Sequence, residues 1–145
     1  MATFPVAMFE AVLPRSPAAC FTAFIDLESA RLWLPGLKKL KVVRSNPLGR
    51  PLEVSYEFGE VLSYALVYHY DDAALRVRWV PSAGLQDGVS GWASFEAAPG
   101  GCLFRYSLES LRGRAPTHEA DVAEAFCGWM RSRPVHPERS RGGAT

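Results

Sequence analysis

The sequence predicts an α+β domain: a seven-stranded antiparallel sheet, two short helices after the first strand, and a long helix at the C-terminal end. Two observations predict it. From Lys38 onward, short runs of β-branched and aromatic residues are separated by Gly, Pro, Asn and Asp turn signals, the pattern of an antiparallel meander. Helical periodicity is confined to the segments flanking that run, one after Pro14 and one after Pro116.

Val6 to Leu13 reads as the first strand, ended by Pro14. Ser16-Pro17 supplies an N-cap with proline at the first helical position and opens a helix through Phe21, Phe24 and Ile25. Asp26 begins a second helix, which stops near Trp33-Leu34-Pro35-Gly36 because proline and glycine both disfavour continuation. Turns are expected at Asn46-Pro47-Leu48-Gly49, Phe58-Gly59-Glu60, Asp71-Asp72-Ala73, Ser82 through Gly88, and Pro99-Gly100-Gly101, leaving room for six strands. Leu52, Val54, Tyr56 and Phe58 alternate with Glu53, Ser55 and Glu57, and Leu75, Val77 and Trp79 with Arg76 and Arg78. Phe104, Tyr106 and Leu108 alternate with Arg105, Ser107 and Glu109 in the same way, so one face of the sheet is wet and the other covered. Val61 to Tyr70 has competing phases, and Leu66 and Tyr68 are assigned inward.

After Pro116 the period becomes helical, with Thr117 as N-cap and Glu119 and Asp121 in the first turn, where they complement the helix dipole. Val122, Phe126, Trp129 and Met130 fall on one face. A helix of about 16 residues is roughly 24 Å long, enough to lie across several strands. The domain is expected to span residues 1–133, and the tail from Pro134 to Thr145, which has no apolar period, is expected to be disordered.

Composition limits the function. Hydrophobic residues make up 48% and charged residues 21% of 145, ordinary globular proportions. A net charge of +1 with scattered arginines argues against nucleic acid as a partner. The apolar runs are too short for an integral membrane segment, and the N-terminus lacks the basic and apolar regions of a signal peptide, so a cytoplasmic protein is expected. Cys20, Cys102 and Cys127 are odd in number and form no C-x-x-C pair, which points to reduced thiols serving as small apolar side chains.

The element order, the Ser16-Pro17 helix entry, Asp26 followed by Trp33-Leu34-Pro35, and Gly91-Trp92-Ala93-Ser94-Phe95-Glu96 before a Gly-Gly turn together resemble the Bet v 1/START-like (SRPBCC) superfamily. Its bacterial polyketide cyclase/dehydrase and lipid-transport branch is the part most similar. The resemblance covers about residues 4 to 133 and implies a helix-grip fold, a curved seven-stranded antiparallel sheet wrapped around the long C-terminal helix, with a cavity between them. It also implies ligands such as lipids, sterols, quinones or polyketides, with Trp33-Leu34-Pro35 at the pocket entrance or anchoring the second helix.

The residues expected to bind the ligand are Tyr56, Phe58, Trp79, Phe104 and Tyr106 on the sheet, with Phe126, Trp129 and Met130 on the helix. The competing reading of that set is a filled core. His69 is assigned a surface or structural role. No metal site is expected, because Val122 removes the second ligand from the zinc-helix start His118-Glu119, and no cofactor is expected because phosphate and dinucleotide loops are absent. Gly88-Val89-Ser90-Gly91-Trp92 fails as a nucleophile elbow, since Trp92 stands in place of the last glycine and no helix follows.

Three functions follow in order of preference. The first is binding or carriage of a small hydrophobic molecule, the expected partner. The second is a polyketide cyclase, aromatase or dehydratase, which needs inward ionisable groups beyond Tyr56, Tyr106 and His69. The third is a ligand-free interaction module using outward Trp92 and Val43. A homodimer is left open.

Overall fold

A computed structural model describes residues 7–59, 62–82, 88–112 and 122–132. Seven strands form one antiparallel sheet: β1 (Ala7–Leu13), β2 (Leu37–Ser45), β3 (Pro51–Phe58), β4 (Leu62–Asp71), β5 (Arg76–Pro81), β6 (Gly88–Ala98) and β7 (Gly101–Arg112). Their spatial order is β1-β7-β6-β5-β4-β3-β2, so consecutive strands pair as hairpins from β2 onward and the chain's first strand returns beside its last. Helices α1 (Pro17–Ile25) and α2 (Leu27–Trp33) follow β1, and α3 (Val122–Ser132) ends the described chain. The sheet is open and curved, with register shifts in the β2–β3 pair and at Ser90/Gly91 between β6 and β7, where bulges bend the strands. This is the helix-grip α+β architecture.

Local chemistry explains the element starts. Ser16 Oγ accepts the Ala19 N–H at 3.2 Å, and Pro17 occupies the first turn, where its missing donor leaves no broken bond. Asp26 closes α1 and caps α2, one carboxylate oxygen accepting the Glu28 N–H at 3.1 Å and the other the Ser29 hydroxyl at 2.9 Å. The β2–β3 turn is held by Asn46, whose Oδ1 accepts from Leu48 N and Arg50 N, both at 2.9 Å, while Gly49 takes the left-handed conformation that turn requires (φ 87°).

The expected alternation holds on β3, where Val54, Tyr56 and Phe58 are buried, and on β5, where Val77 and Trp79 are. On β4, Tyr64 and Leu66 are buried, Tyr68 shares their phase, and His69 is exposed. Two positions differ from expectation. Leu75 lies before β5, in the turn, with φ 53°, because the Asp71 carboxylate accepts the Ala74 N–H and tightens the chain there. Ser107, expected on the wet face, is fully buried, directly opposite Trp92 in the β6–β7 register.

The outer face carries the charge. Arg105 on β7 bridges Glu10 on β1 (2.7 Å) and Glu96 on β6 (3.3 Å), a ladder across three strands. Val43 and Trp92 lie on β2 and β6, separated by three strands, roughly 19 Å at about 4.8 Å per strand, so they form no common patch. The Arg76 guanidinium stacks over Trp92 at 4.3 Å. Thr117, His118, Glu119 and Asp121, and the tail from Pro134, lie outside the described residues.

Candidate ligand cavity

Helix α1 packs mainly on β6 and β7, and α3 on β1 and α2. The closest helix–sheet packing is therefore on the β1–β7–β6 side, and over the inner face of β3 to β5 the end of α1 and α2 form a looser cover. A cleft of about 70 Å³ remains there, neither sealed nor flat.

Its sheet wall is tyrosine-rich: Tyr56 and Phe58 from β3, Tyr64, Leu66, Tyr68 and Tyr70 from β4, and Tyr106 from β7. The chain has five tyrosines, and all five line this one cleft. Val77, Trp79 and Val89 complete the sheet side. Phe24, Ile25, Leu27, Ala30, Trp33 and Leu34 form the helical roof, and α3 contributes Val122. Among the described lining residues none is charged at neutral pH.

The sequence-predicted set divides. Tyr56, Phe58, Trp79 and Tyr106 line the cleft; Phe104, Phe126, Trp129 and Met130 do not. The reason is a knot of aromatic rings built around Phe24. Phe126 meets Phe24 edge-on at 5.0 Å and lies 5.2 Å from Phe104 and 5.1 Å from Trp33, which closes the space beneath the middle of α3. Trp129 stacks on Trp33 at 6.4 Å, and Met130 is fully buried. That half of the helix–sheet interface is filled core, and the open space is displaced toward the short helices. Trp33 and Leu34, expected either at an entrance or as an anchor of the second helix, stand in the roof. Phe24, Ile25, Leu27 and Ala30 join the lining without a signal in the sequence pattern, and Tyr64 and Tyr70 join it as well. For the tyrosines a signal existed: Tyr64, Leu66, Tyr68 and Tyr70 recur at every second position of one strand.

The polar atoms of this apolar wall are few. The Tyr56 and Tyr68 hydroxyls hydrogen-bond to each other, and the Tyr70 hydroxyl donates to the Pro51 carbonyl at 2.6 Å. Tyr70 is braced from outside by Arg50, which lies 4.7 Å over its ring and holds Asp72 through one guanidinium nitrogen at 2.8 and 2.7 Å. Burial pushes the Tyr68 phenol well above its ordinary value, and the neighbouring Tyr56 adds to the shift. Burial raises Tyr70 to about 12, with Arg50 pulling the other way. Both stay protonated and neutral. Two indole nitrogens, Nε1 of Trp33 and of Trp79, are buried without a hydrogen-bond partner among the described residues.

The three cysteines are free and buried. A side-chain hydrogen bond with Cys102, then burial, raises the Cys20 thiol, and burial brings Cys127 to about 11. No reactive thiolate is prepared at either position.

No protein-family model matches this sequence, and no curated protein matches it. Solved structures do. A protein of Thermus thermophilus superimposes with a TM-score of 0.70 at 16% identity, covering 86% of this chain and 93% of its own. A START superfamily protein from Mycobacterium smegmatis gives 0.69 at 15% identity, covering 86% and 95%. Ara h 8.0201 gives 0.64 at 20% identity, covering 91% and 99%. The likeness runs over nearly the whole of each of those chains, and this chain shares their fold.

Proposed function

We propose that this chain binds and carries a small hydrophobic molecule, of lipid, quinone or polyketide-like chemistry, in the cleft between the β3–β5 face and helices α1 and α2. The observation that carries the proposal is the convergence of all five tyrosines and two of the four tryptophans on one cleft without a charged lining residue among those described. A plain core fills such space with aliphatic side chains and few polar atoms. A wall of amphipathic rings instead gives large contact area at low side-chain entropy cost, with hydroxyls and indole N–H groups as handles.

A cyclase or dehydratase needs a group that exchanges a proton near neutral pH. Tyr68 and Tyr70 are shifted away from that range by burial, and His69 faces outward, so binding is the better fit. The three buried free thiols suit a reducing compartment such as the cytoplasm.

At about 70 Å³ the cleft falls below the roughly 300–1,000 Å³ of sites that enclose drug-sized ligands. A larger guest enters by moving the roof rather than the hydrogen-bonded sheet. Native mass spectrometry of the protein purified from its own host, before and after denaturing extraction, should show an adduct that organic solvent removes. A bare polypeptide mass, together with a melting temperature unmoved by fatty acids, quinones, sterols and aromatic polyketides, would favour the filled core.

A further inference from the structure

We infer that the ligand is uncharged and presents a hydrogen-bond acceptor, a carbonyl-type oxygen, to the indole N–H groups of Trp33 and Trp79. The inference rests on the cleft being a ligand site and specifies the chemistry of its occupant. Trp33 and Trp79 are 8% and 3% exposed, both line the cleft, and the Nε1 of each is buried without a partner among the described residues. Buried donors are nearly always satisfied in folded proteins, so two orphaned donors carried by residues that line one cleft point to acceptors supplied by an occupant.

The two indoles are not neighbours. Phe24 stands between them, its ring 5.9 Å from Trp33 and 6.1 Å from Trp79, with interplanar angles of 30° and 31°. The two indoles thus pack near the same roof phenylalanine from different elements, one on α2 and one on β5. The rest of the described lining is aliphatic and aromatic, which suits an apolar body with an acceptor at one end or at both. Indole N–H donates only, so the matching ligand atom must accept; an alcohol or amine proton finds no use there. A carboxylate also accepts, but the described lining residues include no arginine, lysine or histidine to compensate a buried negative charge. The neutral ketone or quinone type fits; the fatty-acid anion does not.

Three ring compounds of similar size and different acceptor chemistry test this: cyclohexanone, methylcyclohexane and cyclohexanecarboxylate. None has an aromatic ring current, so a shift of an indole N–H resonance reports hydrogen bonding. The ¹H–¹⁵N resonances are assigned with Trp33→Phe and Trp79→Phe. Saturable downfield movement of one or both indole resonances with cyclohexanone, and none with methylcyclohexane, is the expected result. Each Trp→Phe change should weaken cyclohexanone about 2- to 10-fold, the range of one net hydrogen bond, and leave methylcyclohexane within about twofold. The wild-type titration stands on its own if a variant fails to fold. Binding of methylcyclohexane with both indole resonances unmoved by cyclohexanone would overturn the acceptor assignment alone, as would tighter binding of cyclohexanecarboxylate. Absence of binding by all three would overturn the cleft as a ligand site as well.

Discussion

Tyr68 and Tyr70 show how single side chains report on the cleft. Each phenol is kept neutral chiefly by burial, Tyr70 to about 12 from an ordinary 10.0 and Tyr68 well above that ordinary value. A tyrosine whose folded pKa exceeds its unfolded one keeps its proton longer in the native state. Its stabilising contribution is complete below the unfolded value and is lost as pH climbs through the folded one. For Tyr70 that window runs from 10.0 to about 12. The melting temperature should therefore fall across it, and Tyr68→Phe, which cannot ionise, should flatten part of the fall. A wild-type profile that is level through the window would mean that the phenols ionise as freely in the folded chain as in the unfolded one. The inward phase of Tyr56 and Tyr106 was legible from strict alternation on β3 and β7. The shared destination of all five tyrosines was not, because nothing local in the sequence fixes which part of a curved sheet a helix leaves uncovered.

At the scale of elements, β6 and β7 approach each other closely at Gly91. A Cβ there would stand 2.1 Å from the Ser107 carbonyl oxygen, beside the register shift at Ser90/Gly91, and since the three nearest atoms are all β7 backbone, no flexible side chain is there to yield. Gly91→Ala should cost about 1–3 kcal/mol, read from urea denaturation. Gly128→Ala in α3, where a Cβ meets nothing within 4 Å, should instead be neutral or stabilise by up to about 1 kcal/mol, since glycine disfavours helix. Equal losses at both positions would point to a general intolerance of glycine replacement rather than to this crossing. Elements were the most legible level of the sequence. The Ser16 and Asp26 caps act over two or three residues, so their side-chain bonds to Ala19 and Glu28 could be anticipated from spacing alone. What spacing cannot encode is how α1 and α2 lie against the sheet, which is decided by the meeting of Phe24, Phe126, Phe104 and Trp33 from four separate segments. That ring cluster moved the open space from beneath Trp129 and Met130 to beneath the short helices.

At the scale of the molecule, the fold divides its interior into two parts. Over β1, β7 and β6 the helices press on the sheet, and the core is filled by Phe95, Phe104, Phe126 and Met130, each 2% exposed or less. Over β3 to β5 the roof is α2 and the end of α1, and the about 70 Å³ cleft persists. If that space serves a ligand, then filling it permanently should separate stability from binding. Ala30 is the position for this test: it is 3% exposed, lies within α2 and lines the cleft. Leucine is also a good helix former, so Ala30→Leu leaves the backbone preference almost unchanged while directing three further carbons toward the open space. Each buried methylene contributes about 0.8 kcal/mol where room exists. The variant should therefore melt at the wild-type temperature or above it and lose binding of a hydrophobic probe such as cyclohexanone. A drop in melting temperature would mean that the carbons meet packed atoms, as they would in a filled core. Retained binding in a stable variant would place the ligand elsewhere. Stability held with binding lost is the outcome that only a functional cleft at this position produces.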